Sequence, residues 1–405
     1  MRDIFRQSKM WHTPSKLKDN YEVVIIGGGS HGLATAYYLT KHHGIKDICI
    51  LEKNYIGAGA SGRNTTILRS NYKTPEGARF YDASVKLYEN LSKDLQFNLM
   101  FSQKGHLTLG HTDRAMFVMH ERAEVNRLVG IDTSVVDADE VQRMVPAMQV
   151  TDDAEYPIMG ALYHPPGGII RHDAVVWGYA RGADRGGAEI HPNSEVTAIH
   201  KDGDRVTGVT VNGNQRVNGG TVLSATAGWS SILSEMAGFE LPITTHILQA
   251  FVTEPVKPLL DKVIVSSQMH VYVSQTDRGE FLIGSEIEPW TTYRMNGTLN
   301  FLQESTRHAL ELFPQLERAR MLRSWAGLCD LSPDYSPILG KTELEGFLVS
   351  TGWGTYGFKA APIVGVTLAE LIATGKTPEL IKPFEVERFY TDELVSELGA
   401  AAVSH

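Results

Sequence analysis

Four stretches of the chain alternate or repeat apolar positions clearly enough to name elements. In "YEVVIIGGGSHGLATAYYLTKHHGIKDICILEK", the apolar run "VVII" predicts a buried strand. "LATAYYLTKHHG" predicts a helix closed by Gly44, and "DICILE" predicts a second, parallel strand ending at Glu52. From residue 188, "AEIHPNSEVTAIHKDGDRVTGVTVNGNQRVNGGTVLSA" holds three alternating runs joined by "DGD" and "NGN". Asp-Gly and Asn-Gly supply the positive φ of tight hairpins, so these runs predict an antiparallel meander followed by the strand "TVLSA". "HVYVSQTDRGEFLIGSEIEP" predicts a hairpin, and "GFLVSTGWGTYGFKAAPIVGVTLAELIATGK" a strand, a glycine-rich loop and a helix with Pro362 in its first turn. In "HPPGGIIRHDAVVWGYARGADRGG", turn residues precede a helix that opens near His172. Histidine is not a preferred cap, so capping does not explain His172.

These elements predict an α/β architecture with an α+β second domain: a Rossmann-like dinucleotide-binding domain and an antiparallel-sheet substrate domain. Residues 1–20 form an N-terminal extension. The binding domain is expected from 21–79, 166–239 and 323–395, and the substrate domain from 80–165 and 240–322. Gly27, Gly29 and Gly32 form G-x-G-x-x-G directly after the first strand, where backbone N–H groups can approach a pyrophosphate at a helix N-terminus. Glu52 stands about twenty residues further on, where a carboxylate can accept ribose hydroxyls. Such an acid suits NAD or FAD.

Composition narrows the class. The chain has 405 residues, is 42% apolar and carries a net charge of −9. It can bury a large core, and nucleic acid is disfavoured as a partner. No segment nears the roughly eighteen unbroken apolar residues of a membrane span. Two cysteines, Cys49 and Cys329, are too few for a disulfide framework or a cysteine-based zinc site. No metal site is expected. A cytoplasmic enzyme is.

The segment "GAGASGRNTTILRSN" decides between the dinucleotides. With the glycine motif and with "WAGLCDLSPDYSPILG" followed by "GFLVSTGWGTYGFK", it resembles the FAD amine oxidoreductase family related to D-amino acid oxidase. The resemblance runs from about Tyr21 to the C-terminus. It implies FAD beside Gly27, Gly29, Ser30, His31, Gly32, Glu52 and Lys53. It further implies Ser61, Arg63, Thr66 and Ile67 under the ribityl chain and ring, and Val196 at the adenine. Gly354, Gly357 and Lys359 fall at the flavin, where a helix N-terminus favours negative charge on the reduced ring.

The same resemblance implies that Arg69 and Lys359 clamp the carboxylate of a small amino acid, a planar fork and a compact charge acting together. Read from the residues alone, the alternatives are that Arg69 is a surface cation and Lys359 a helix-start cation, the latter disfavoured because a cation is unfavourable at a helix N-terminus. Tyr272 either covers the flavin or is plain core. The family's flavin-linking cysteine falls nearer Gly327 than Cys329, so FAD is expected to be non-covalent and Cys329 a small buried residue.

"GGSHGLATAYYLTK", "GASGRN" and "GGIIRHD" resemble a heterotetrameric, sarcosine-oxidising branch of the family. That branch implies FMN attached covalently to His172, partner alpha, gamma and delta subunits, and O2 as the final acceptor. It implies glycine with formaldehyde or 5,10-methylenetetrahydrofolate as products. Attachment needs a neutral imidazole. The helix start and Arg171 are expected to favour it, with Asp173 opposing but orienting the ring. Rival readings are a proline dehydrogenase beta subunit, a glycine oxidase and a non-catalytic flavin-binding scaffold.

Overall fold

A computed structural model describes residues 10–151 and 153–397. Part of the expected extension, residues 1–9, lies outside the described residues; the remainder packs down, with Trp11 against the core and Lys18 paired to Asp47 and Glu189.

The first sheet has six strands. Its order is β18 (Ile338–Lys341), β19 (Phe347–Thr351), β12 (Thr221–Ser224), β1 (Val23–Ile26), β2 (Ile48–Glu52) and β8 (Glu189–Pro192). All neighbours are parallel except the edge pair β18 and β19. Strands buried on both faces read as unbroken apolar runs, which is why "VVII" shows no alternation. Val23 and Ile25 point into a core shared with α1 (Ser30–His43), α2 (Pro75–Leu95), α5 (His172–Gly186) and α8 (Ala361–Thr374). Val24 and Ile26 point the other way, towards the meander β9 (Val196–Asp202), β10 (Arg205–Val211) and β11 (Gln215–Asn218).

The second sheet has eight strands, ordered β17 (Met321–Leu331), β13 (Thr244–Pro255), β16 (Glu280–Ile287), β15 (Val271–Gln275), β14 (Val263–Ser266), β4 (His106–Gly110), β6 (Gly160–His164) and β5 (Ser134–Asp137). One face, with Leu107, Ile264, Val273, Ile283 and Phe251, packs under α4 (Ala138–Met144) and α7 (Leu299–Leu312). A third helix, α3 (Asp113–Leu128), covers the β5–β6 edge. A two-stranded pair, β3 (Ile67–Leu68) with β7 (Gly168–Ile169), ties the two halves together.

Two expected boundaries fall inside elements. Residue 80 lies in α2, whose Phe80, Tyr81 and Tyr88 belong to the core of the first sheet. Residue 323 lies in β17, which pairs with β13 along most of its length. A helix buried against one core and a strand paired in the other sheet cannot be divided there.

Candidate active site

The chain leaves β1 through Gly27, at φ 111°, where a Cβ would lie 2.3 Å from the Ala225 carbonyl oxygen. Only glycine fits. Gly32 packs against the Gly27 carbonyl, so its role is close helix–loop contact, and it is set back from the cleft. Gly29 caps α1 without a side-chain bond, and Ser61 Oγ accepts the next N–H, from Ser30, at 2.9 Å. Glu52 closes β2 with its carboxylate accepting from Gly28 N (2.9 Å) and Asn54 N (2.9 Å).

These groups open onto a cavity of about 580 Å³, within the size range of cofactor sites. Gly27, Gly29, Ser30, His31, Glu52, Lys53 and Val196 line it. Lys53 Nζ lies 4.0 Å from the centre of the Trp229 ring. Ser61, Arg63, Gly354, Gly357 and Cys329 line the cavity as well. Thr66 and Ile67 do not line it. Thr66, at φ 64°, accepts the Ile170 N–H (3.2 Å) on its carbonyl, and Ile67 pairs with Ile169. The glycine-rich segment therefore leads from the cleft directly to the strand before His172.

Register across the eight-stranded sheet shows which residues roof this region. Thr108, Val265, Tyr272, Gly284, Ala250 and Trp325 form one row, on the face opposite α4 and α7. Leu248 and Gly327, on the same face, line the cavity, and Trp325 Nε1 donates to Arg63 O at 2.8 Å. Tyr272 is buried beside Thr65 and set back from the cavity wall. Its ring lies over Gly284, where a Cβ would fall 2.1 Å from Tyr272 Cζ and Oη.

Arg69 and Lys359 meet next to the cleft although nearly three hundred residues separate them. Arg69 Cζ lies 4.5 Å from the Tyr72 ring centre and 6.0 Å from that of Tyr356; Lys359 Nζ lies 5.4 Å from the same Tyr356 ring. Both are buried. Burial, then the Arg69 charge, pushes the Lys359 amine well below its ordinary value. Arg69 donates to Asn71 O and Oδ1 (3.2 and 3.0 Å), while Arg122 of α3 grips the same carbonyl through Nε (2.6 Å) and Nη2.

His164 donates Nδ1–H to Asp132 O (2.8 Å), which leaves Nε2 to accept the Ser70 N–H (3.1 Å). Its strand partner His106 is buried with neither ring nitrogen hydrogen-bonded. Asn71 Nδ2 and the hydroxyls of Tyr72, Tyr81 and Tyr356 are likewise unpartnered. Glu397, a carboxylate packed into this region, accepts from Lys73 N, Thr74 N and Thr74 Oγ1 at the cap of α2. Isolated buried polar groups are costly, and such a cluster around Arg69, Arg122 and Lys359 suits an anionic, hydrogen-bonding ligand.

His172 opens α5 with Arg171 as its cap residue. Burial is the first cause lowering its pKa, with Arg171 and Arg323 assisting and Asp173 opposing. The directions expected of Arg171 and Asp173 hold, and burial, which the linear order does not show, leads them. Arg171 is held by Asp173 in a bidentate pair (3.1 and 2.7 Å), and the same carboxylate accepts from Ala174 N.

A family model described as FAD dependent oxidoreductase (DAO) matches residues 22–371. The chain belongs to the FAD dependent oxidoreductase family. Within that family it is 45% identical to sarcosine oxidase subunit beta of Arthrobacter sp. over 98% of this chain and 97% of that one. The Rhodobacter capsulatus subunit of the same name is 43% identical over 98% of this chain and 95% of its own. Among solved structures, L-proline dehydrogenase from P. horikoshii superposes with a TM-score of 0.87 at 28% identity, covering 94% of this chain and all of that one.

For a member of the FAD dependent oxidoreductase family, several site groups carry little sequence signal. Arg122 sits in a mostly exposed helix, and His106 and His164 fall on strands 58 residues apart that only the ladder brings together. Tyr356 lies inside the quoted "GWGTYGFK", but its ring contact with both cations depends on the fold. Cys329 is buried as expected and also faces the cofactor cleft.

Proposed function

We propose that this chain is the catalytic beta subunit of a heterotetrameric flavoenzyme that demethylates sarcosine to glycine, with alpha, gamma and delta subunits as partners. The convergence of Arg69 and Lys359 at the edge of the dinucleotide cleft, among unpartnered polar groups, is the observation that carries this reading. Relatives at 43–45% identity over nearly the whole chain bear the name of that subunit. The resulting division is a FAD-binding domain built on the six-stranded sheet and a substrate domain built on the eight-stranded one.

The cleft fits FAD. Gly27 and Gly29 leave backbone at the mouth of α1, and Glu52, Lys53 and Val196 flank the nucleotide end. Ser30 and Ser61 join the turn above α1, while Arg63, Thr66, Ile67, Gly354, Gly357 and Lys359 form the flavin end and its support. Cys329 Sγ is pushed far up by burial, which favours a thiol over a thiolate and fits non-covalent FAD. When bound, FAD supplies the hydride acceptor and FMN on His172 the route to O2, with hydrogen peroxide formed there.

The chain's own residues bind and orient. Arg69 offers two parallel N–H donors and Lys359 a point charge to the substrate carboxylate, which fixes the N-methyl carbon relative to the cleft. An arriving carboxylate also favours the protonated form of Lys359, which burial and Arg69 otherwise oppose. Tyr272 and the sheet face around it exclude water. The oxidised product, an imine, is hydrolysed to glycine and formaldehyde or yields its carbon to tetrahydrofolate as 5,10-methylenetetrahydrofolate. His172 is kept neutral by its surroundings and is therefore able to act as a nucleophile towards FMN.

A second reading, proline dehydrogenation, is favoured by the 0.87 TM-score. Anaerobic bleaching of the bound flavin by sarcosine, by proline or by glycine separates the two. Mass spectrometry of the tryptic peptide containing His172 tests the second flavin: an added FMN mass supports it, and an unmodified peptide from active enzyme overturns it.

A further inference from the structure

His31 lies in the second position of α1, directly after the glycine motif, yet its ring points away from the helix axis towards the C-terminal half of the chain. His31 Nε2 lies 2.7 Å from Gly357 O, a carbonyl that can only accept, so Nε2 carries the proton. The neutral ring then offers Nδ1 as an acceptor, and Ser350 Oγ donates to it at 3.0 Å. Ser350 Oγ in turn accepts Trp353 Nε1–H at 3.2 Å, and the Trp353 ring packs edge-on against His31 at 4.6 Å between centres. One donor and one acceptor are both satisfied, and the tautomer is fixed without reference to any ligand.

The segment that His31 grips is the glycine-rich loop between β19 and α8. Its other ties reach it from elsewhere. Asp330 accepts from Thr351 Oγ1 and Gly352 N at its start. Ser84 and Tyr88 of α2 donate to Lys359 O and Phe358 O at its end. His31 supplies the tie to α1, whose N-terminus lines the same cavity. Burial drives its pKa down to about 4, so no positive charge is added at the helix start.

We propose that His31 is a positioning residue that couples the dinucleotide-binding turn to the loop at the flavin end of the cleft, acting through a neutral donor–acceptor relay of Trp353, Ser350, His31 and Gly357. It sets how closely Gly354 to Gly357 approach the flavin, and so acts on affinity and redox potential through the loop, beyond its own place on the cavity wall. This rests on FAD occupying the cleft.

The test compares His31→Leu, His31→Gln and Ser350→Ala in the full chain, reading the FAD dissociation constant and the midpoint potential of the bound flavin. Glutamine presents one donor and one acceptor at the same 1,3 spacing as the imidazole nitrogens, so it can rebuild both bonds. His31→Leu weakens FAD binding about tenfold, the worth of two lost net hydrogen bonds, and makes the potential more negative. Ser350→Ala falls between, and His31→Gln returns both readouts to within about twofold of wild type. A His31→Leu protein with unchanged affinity and potential overturns the proposal, as does a His31→Gln protein indistinguishable from His31→Leu. A fall in melting temperature with the potential unmoved also overturns it, since the role is then purely structural. If the wild-type chain takes up no FAD, the cofactor reading itself fails instead.

Discussion

Asp330→Asn isolates the cost of a buried charge at the root of the flavin-side loop. Asp330 is buried on β17; its carboxylate accepts Thr351 Oγ1–H (2.8 Å) and Gly352 N–H (2.6 Å), and its carbonyl accepts Gly354 N–H (2.7 Å). Burial raises the carboxyl from 3.8 to about 6 despite those donors. The folded state therefore holds this proton more tightly than the unfolded chain does. Stability attributable to the group falls as pH rises: the penalty is absent below the unfolded pKa and complete above the folded one. The interval amounts to about 3 kcal/mol, of which about 2 kcal/mol develops between roughly pH 4.5 and pH 7.5. Urea unfolding of wild type and Asp330→Asn with saturating FAD at both pH values measures it. The stability difference between the two proteins should change by about 2 kcal/mol in favour of the variant at the higher pH. Parallel pH profiles, or a change of opposite sign, refute the reasoning.

Gly284→Ala forces a methyl into the Tyr272 ring and should cost about 1–3 kcal/mol. In a Tyr272→Ala background most of that cost disappears, and additive losses in a double-mutant cycle count against the contact. His106→Leu removes an imidazole with no hydrogen-bond partner, so ligand-free protein gains about 1 kcal/mol by thermal unfolding while small carboxylates bind more weakly. A loss of stability in the ligand-free variant contradicts the idea that a ligand satisfies that ring.

The six-stranded sheet was legible where a local signal announced a local element. "VVII", the glycine motif and "DICILE" lie in one βαβ unit, and "DGD" and "NGN" mark hairpins of the meander. The eight-stranded sheet was not, because the whole meander separates β4, β5 and β6 from β13 to β17, and no periodicity reports which strands will pair. The same limit placed domain boundaries inside α2 and β17. At the site, Arg69 and Lys359 were nameable only through the family resemblance. Asn71 and Tyr356 are chain neighbours of Arg69 and Lys359, but Arg122 and His106 reach them by tertiary packing alone. At His172 the expected directions, lowering by Arg171 and raising by Asp173, hold, whereas the leading cause, burial, and the approach of Arg323 are invisible in the linear order.

Anaerobic titration of the flavin with sarcosine, in wild type and in Lys359→Met, tests the central claim most directly. Wild type should bleach with sarcosine, and Lys359→Met should need a concentration about tenfold or more higher for the same bleaching, the worth of one lost charged hydrogen bond to a carboxylate. Equal concentration dependence in the two proteins, or wild-type flavin that sarcosine leaves oxidised, contradicts the account.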